Sequence, residues 1–318
     1  MERTRFLIAG TLILGGLALI QPALAQQPFP SKRFTIFVPS SAGGSFDIMA
    51  RLFSDHLGKK SGQPVIVDNR PGASDTLAMG AMLKEPADGH TVAMGGSQVA
   101  DIFLKSVPID LSSLTPVSIF AQTPFTVVAS KASNLNSLKD FVAYAKGEKG
   151  KLTFGAATIS HSLYMRQLEI ALGFDSTVVL YKGFAPLETA MVSGEVNASV
   201  FGNLGKVKSG QITAIVTAGD TRNPDIPDVP TFKELGISGY NPIATYGMWV
   251  RADTPPDLIN RLVREVQEVI RTPDWTVRIT KGLGPQPLGS THEYAVKYYA
   301  DEHKAFKTAA DRAGIKPQ

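Results

Sequence analysis

Three short turns rich in glycine and hydroxyl residues contain the groups best suited to hold a small anion. They are Ser40, Ser41, Ala42, Gly43, Gly44, Ser45 and Asp47 in the first, Gly95-Gly96-Ser97-Gln98 in the second, and Gly155 with Thr158, Ser160 and His161 in the third. Each follows a predicted strand. Hydroxyl groups and free backbone N–H groups at a helix N-terminus hold a carboxylate reversibly. Such turns also occur for packing alone, but three in succession favour a carboxylate-binding site.

The common catalytic motifs are absent. No G-x-G-x-x-G follows a strand, and there is neither a G-x-x-x-x-G-K-[ST] loop nor a G-x-S-x-G nucleophile elbow. The five histidines show no paired metal-binding spacing and there is no cysteine, so we predict neither a metal nor a cofactor. Ser160 beside His161 leaves a secreted α/β hydrolase as an alternative, although adjacent side chains rarely face each other.

A βα rhythm places the three turns at the carboxyl ends of strands. Strands are predicted at 34–39, 65–69, 91–95, 126–130, 151–156, 178–182, 196–201 and 213–218, and helices at 47–60, 76–84, 137–146, 162–172 and 185–193. A return strand at 246–251 precedes two long terminal helices, and Thr254 is the predicted cap of the first. We predict two α/β lobes, each a mainly parallel sheet flanked by helices, with a ligand cleft between them.

The N-terminal segment has the features of a secretory signal peptide. Arg3 and Arg5 precede an uncharged run over 6–20, and Ala23-Leu24-Ala25 fits a cleavage site, so residues 1–25 are predicted to be removed. The run is shorter than the roughly 20 residues that span a bilayer. An exported protein without cysteine has no disulfide bonds, so its stability must come from the hydrophobic core. The net charge is +4, and the sequence has no dense block of Lys and Arg. Both features argue against a nucleic-acid partner.

Several further segments occur in a characteristic order and spacing. They are Pro39 to Asp47, Gly62 to Ala73, Pro86 to Thr91, Tyr181-Lys182-Gly183, Leu187 to Gly194, Pro227 to Thr231, Glu234-Leu235-Gly236 and Thr254-Pro255. This set, from about residue 30 to 290, resembles the Bug-type solute-binding proteins of tripartite tricarboxylate transporters. The resemblance implies a periplasmic binding protein fold, type II-like, whose lobes close on a small carboxylated solute and deliver it to a membrane permease.

The resemblance also implies details of the site and the lobes. The turns at Ala42 to Asp47 and at 155–161 are expected to hold one carboxylate as a pincer. The first lobe is expected to comprise residues 26–124 and 245–318, the second residues 125–244, and the protein is expected to be a monomer. A sensor subunit that presents its closed form to a membrane kinase requires the same closure and stays open as an alternative.

Other residues have two interpretations each. Tyr181 and Phe201 either wall the cleft or pack under helices, and Asn203 is a candidate partner for a distal polar group of the ligand. Lys182 either attracts an anion or lies in a solvated turn. This sequence departs from the family pattern at Ser40, Asn197 and Thr245, where the family has an aromatic residue, an aspartate and a tryptophan. The distal part of the pocket is therefore not predicted.

Overall fold

The structure is a computed structural model that describes residues 29–71, 75–96, 109–147, 151–281 and 284–315, with residue 160 described by its backbone alone. The predicted signal peptide and Ser97 lie outside the described residues. Within the described ranges, no helix combines the length and the apolar character needed to cross a membrane.

Strands and helices alternate along most of the chain. The strands are β1 (Phe34–Val38), β2 (Val65–Asn69), β3 (Thr91–Gly96), β4 (Leu114–Pro124), β5 (Thr126–Ser130), β6 (Thr153–Ala156), β7 (Thr177–Leu180), β8 (Ala198–Phe201), β9 (Ile212–Thr217), β10 (Ile243–Arg251) and β11 (Gln286–Pro287). The helices are α1 (Ser45–Ser61), α2 (Thr76–Met82), α3 (Leu138–Gly147), α4 (Ile159–Leu172), α5 (Phe184–Ser193), α6 (Gly205–Lys208), α7 (Pro256–Val269), α8 (Pro273–Trp275) and α9 (His292–Arg312).

The described strands form two sheets. The first has the order β11-β4-β10-β3-β1-β2 and the second β7-β6-β8-β5-β9. The pairs β1–β2, β1–β3, β6–β7 and β6–β8 are parallel, whereas β10 and β5 are antiparallel to both of their neighbours. The α/β architecture is confirmed, but the sheets are mixed and not mainly parallel. The βα units supply the parallel pairs, whereas β5 and β10, which each follow another strand with no helix between, pair antiparallel.

The chain passes between the sheets at two adjacent points. Strand β4 ends at Pro124 in the first sheet, and β5 begins at Thr126 in the second. The return segment leads into β10 at Ile243, and the Phe125 N–H donates to the Pro242 carbonyl oxygen at 2.9 Å. The two crossing segments are therefore hydrogen-bonded to each other at the junction of the sheets.

The sequence analysis missed one strand and misplaced one helix cap. Strand β4 is absent from the predicted strands; it includes Pro116, which lies at a register shift opposite Trp249, where a missing N–H is tolerated. Helix α7 has Pro255 and not Thr254 as its N-cap, with no capping side-chain hydrogen bond, since Pro256 occupies the first helical position. The predicted strand at 65–69 and the helix ending at 193 match the structure.

Each sheet has its own hydrophobic core, and α9 contributes to both. Ala295 and Tyr299 of α9 are buried with Trp249 of the first sheet. Phe306, further along α9, is buried with the second sheet, and its ring lies 5.2 Å from that of Tyr164. Because one helix packs on both sheets, it constrains their relative position.

Candidate functional site

The N-terminus of α1 lies at the first glycine- and serine-rich turn and has no side-chain cap. Its N-cap is Gly44, which has an extended backbone and no side chain with which to cap. The Gly44 N–H donates to the Ser41 carbonyl oxygen at 3.1 Å, and the Ile48 N–H closes the first helical bond to Gly44 at 3.0 Å. The N–H groups of the first turn have no intrahelical acceptor, so together with the helix dipole they form a site for an anion.

Ser40 explains why glycine occupies the N-cap position. A Cβ on Gly44 would lie 3.0 Å from Ser40 Oγ and 3.2 Å from the Ser41 carbonyl oxygen, closer than ordinary packing allows. Ser40 Oγ is itself buried and, among the described atoms, has no hydrogen-bond partner. A capping side chain would be crowded here unless Ser40 shifted, and a hydroxyl group lies beside the open helix end.

The negative charge of Asp47 is balanced by groups of the protein itself. Its side chain is buried, and Oδ2 accepts hydrogen bonds from the Gly43 N–H and Arg51 Nε, both at 2.9 Å. Asn69 Nδ2 donates to Asp47 Oδ1, also at 2.9 Å. Burial raises the pKa of Asp47, but the bonds from Arg51, Gly43 and Asn69 outweigh it and hold this pKa below 3.8. The predicted site residue Asp47 therefore braces the turn, and its charge is offset by Arg51.

A run of contacts leads from this turn to the second sheet. The Tyr246 ring lies 5.1 Å from that of Phe46. Burial raises the pKa of the Tyr246 phenol, and the nearby hydroxyl groups of Thr123 and Ser45 partly offset this effect. A Cβ on Gly202 would lie 2.7 Å from Thr123 Cγ2, so the Gly202 backbone at the end of β8 packs directly on the crossing segment.

In the third turn, side chains of the turn itself already form hydrogen bonds with its backbone. Thr158 caps α4 by accepting from the His161 N–H at 3.0 Å. His161 is buried; its Nδ1 accepts from the Ala157 N–H at 2.9 Å, and its Nε2 donates to the Val200 carbonyl oxygen at 2.7 Å. Burial lowers the pKa of His161 to about 4, so the ring is neutral at pH 7. His161 positions the turn, and neither ring nitrogen is free to act as a base for a neighbouring serine.

The remaining predicted site residues lie in the second sheet or in the loops that follow its strands. Tyr181 donates to Glu195 Oε1 at 2.8 Å, and burial together with this carboxylate raises the pKa of Tyr181 to about 12. Phe201 is buried in a core cluster, and Asn203 Oδ1 accepts from the Gly205 N–H at 2.9 Å. Lys182 lies on the loop before α5.

Sequence reasoning missed three residues around the junction: Thr123, Phe184 and Tyr246. Phe184 begins α5, is 46% exposed, and its ring lies 5.2 Å from that of His161. Strand alternation in the return segment was the signal that would have found Tyr246. Two cavities of about 400 and 410 Å³ lie beside α9, and none of the predicted turn residues lines either one.

These features define a class of α/β protein in which two mixed sheets meet at one junction and the open N-terminus of α1 lies near it. Residues 49–314 match the family described as "Tripartite tricarboxylate transporter family receptor". The chain belongs to this family, which confirms the resemblance to Bug-type proteins.

Individual relatives align along nearly the whole chain. A UPF0065 protein of Bordetella bronchiseptica is 30% identical over 98% of this chain and 95% of its own. Among solved structures, R. palustris Rpa4515 with adipate is 25% identical and covers 91% of this chain and 100% of its own, with a TM-score of 0.73. MatC (Rpa3494) from Rhodopseudomonas palustris with bound malate is 26% identical and covers 88% and 99%, with a TM-score of 0.70. The predicted two-lobed periplasmic binding protein fold is thereby confirmed.

Proposed function

We propose that this protein is a periplasmic solute-binding protein that captures a small carboxylate at the N-terminus of α1 and delivers it to the permease of a tripartite tricarboxylate-type transporter. The observation that carries the proposal is the uncapped start of α1 beside the hydroxyl of Ser40. Relatives with bound adipate and malate support a carboxylate as the ligand. Export would rest on the signal peptide predicted at residues 1–25.

The charges around α1 favour an anion held without a dedicated cation. Arg51 is paired with Asp47 at 2.9 Å, so its positive charge is already balanced within the protein. Arg70 pairs with Asp68 at 2.8 Å. Backbone N–H groups and hydroxyls then provide the attraction, and they release the ligand more readily than a bidentate arginine would.

Binding is proposed to occur without chemistry. The hydrolase alternative requires His161 as a base, but both of its ring nitrogens are held by backbone groups. We also propose that the lobes are residues 26–124 with 245–318 and residues 125–244, each built on one sheet, and that the monomer closes about the two crossing segments. Thr158 and His161 would then present a preformed turn to the ligand from the second lobe.

The first test is calorimetric titration of ligand-stripped protein with aliphatic, hydroxylated, amino and aromatic carboxylates, with recovery of the ligand afterwards. We expect saturable binding of one class of carboxylate, recovered unchanged. A flat response across the panel, or turnover of the ligand, would contradict the proposed function.

Substitution of Ser45, the first residue of α1, tests where the carboxylate binds. A carboxylate side chain at this position would repel a bound carboxylate by up to about 4 kcal/mol at a separation of about 4 Å. Solvent and salt reduce this repulsion, so we expect Ser45→Asp to bind about 10- to 100-fold more weakly than Ser45→Asn, which has the same shape and no charge. Without ligand, Ser45→Asp should be more stable than Ser45→Asn by about 0.3 to 1 kcal/mol, because the helix dipole favours a negative charge at this end. Equal affinities of the two variants would place the ligand elsewhere.

A further inference from the structure

Three side chains able to bind a metal converge where the C-terminal half of α1 packs on α7. His56 comes from α1, and Glu265 and Glu268 come from successive turns of α7. Their ligating atoms all lie within 4.8 Å of one another. Because the positions of His56 and Glu265 differ by 209 residues, the spacing of histidines along the sequence gave no sign of the cluster.

Two of the three distances in the cluster are close to the edges of a tetrahedral zinc site. His56 Nε2 lies 3.2 Å from Glu265 Oε2 and 3.4 Å from Glu268 Oε2. Zinc bonds of about 2.0 to 2.2 Å in a tetrahedron place neighbouring ligand atoms about 3.3 to 3.5 Å apart. A metal ion could therefore bind His56 together with either carboxylate, and rotation of the half-exposed Glu268 side chain would complete a set of three ligands with the fourth position left to water.

Packing fixes most of the cluster in place. Phe53 and Leu57 of α1 share a buried core with Val266 and Val269 of α7, so the two helices are held together on either side of it. The Glu265 side chain is only 10% exposed and that of His56 20% exposed. Two of the three ligands are thus preorganised, which lowers the entropic cost of binding a metal.

Lys60 pairs with both carboxylates of the cluster. Its Nζ lies 2.8 Å from Glu265 Oε1 and 2.7 Å from Glu268 Oε2. One ammonium faces two carboxylates, and the Lys60 side chain is 44% exposed, so it can swing into solvent. A divalent cation would compensate the charge of both carboxylates. It would also accept a coordinate bond from the imidazole nitrogen of His56, which an ammonium group cannot do.

We propose that His56, Glu265 and Glu268 form a binding site for a divalent transition metal of the zinc type, with Lys60 as a built-in competitor. An imidazole with two carboxylates suits zinc, nickel or copper better than magnesium or calcium. The metal would tie the C-terminal half of α1 to α7, and α1 begins at the proposed carboxylate site. The proposal is independent of whether that site binds a carboxylate.

The test is titration of the purified, untagged protein with Zn²⁺ in a buffer free of carboxylates, read by competition with a chromophoric chelator. We expect one bound Zn²⁺, with affinity at least tenfold weaker in His56→Asn and at least tenfold tighter in Lys60→Met. The matched control is His90→Asn, since His90 lies with Asp88 and Lys32 in a similar group that has a single carboxylate. Its zinc affinity should not change.

Cobalt gives an independent readout of the geometry. Co²⁺ at the site should show the intense visible absorption of a tetrahedral ion, and His56→Asn should abolish it. The absence of zinc binding in both the unsubstituted protein and Lys60→Met would overturn the proposal, because removal of the ammonium leaves no competitor. Binding that is equal in His56→Asn would also overturn it, since the ion would then be held at another site.

Discussion

Asp47 holds the first glycine- and serine-rich turn in place through the hydrogen bonds that its two carboxylate oxygens accept. The substitution Asp47→Asn tests this role. If the oxygen of the introduced amide replaces Oδ2 it keeps the bonds from Gly43 and Arg51, but the new NH₂ group then faces Asn69 Nδ2, which bonds to Asp47 Oδ1 at 2.9 Å. Asn69 cannot turn its amide over, because the same Nδ2 also donates to the Ser40 carbonyl oxygen at 2.9 Å. The substitution therefore forces two donors against each other.

The expected loss of stability follows from these contacts. A buried donor left without a partner costs about 1 to 3 kcal/mol, and the charge lost beside Arg51 adds little because that side chain is 47% exposed. We expect Asp47→Asn to lower the free energy of unfolding in urea by about 2 to 3 kcal/mol at pH 7. The matched control is Asp68→Asn, whose pair with Arg70 is exposed; this change should cost less than about 1 kcal/mol.

A double-mutant cycle with Asn69→Ala separates the proposed clash from a general weakening. In the Asp47→Asn background, Asn69→Ala removes the opposing donor, so its cost should be about 1 kcal/mol smaller than in the unsubstituted protein. The folded pKa of Asp47 lies below 3.8, so its contribution is present above that pH and is lost as the pH falls through the folded pKa. The stability gap between the protein and Asp47→Asn should therefore narrow below about pH 4. Equal costs for Asp47→Asn and Asp68→Asn, or additive effects in the cycle, would refute the reasoning.

Two further substitutions test the second sheet. The pKa of His161 falls from 6.5 to about 4 on folding, so its contribution is lost as the pH falls from 6.5 to 4. Urea unfolding should show a loss over this range about 3 kcal/mol larger than in His161→Gln, and parallel curves would contradict this. Gly155→Ala places a Cβ against Leu187 and Val196, so we expect it to lower the free energy of unfolding by about 1 to 3 kcal/mol. Gly147→Ala meets nothing within 4 Å and is the control; equal effects of the two changes would exclude overpacking.

The elements that the sequence predicted well are those in which local pattern and tertiary role agree. Strand β2 spans residues 65–69 as predicted, and it begins with the β-branched run Val65-Ile66-Val67. Strand β4 lies between β10 and β11 and includes two prolines, so only its long-range pairing makes it a strand. Short-range rules do not include that pairing, and the mixed character of both sheets was missed for the same reason.

The prediction of individual site residues was limited by how polar groups pair in three dimensions. A sequence shows that Asp47 and His161 are polar and lie in glycine- or threonine-containing turns. It does not show that Arg51 and Asn69 close around Asp47, or that a carbonyl of β8 lies within reach of His161. Thr245 likewise bonds to Tyr299 at 3.1 Å, and Asn197 accepts from the Thr153 N–H at 2.9 Å. Departures from the family pattern at these two positions thus concern the framework.

The difference between the two turns of the expected pincer indicates where an anion has the most to gain. At α4 the hydroxyl of Thr158 already satisfies an N–H of the first turn, and a ligand there would have to replace an existing bond. At α1 the N-cap is Gly44, which Ser40 crowds, and the helix forgoes roughly a few tenths of a kcal/mol that a capping side chain would contribute over glycine. A carboxylate bound at α1 would recover that stabilisation and add the attraction of the helix dipole. We therefore expect α1 to supply most of the binding free energy, while the turn capped by Thr158 and braced by His161 supplies shape.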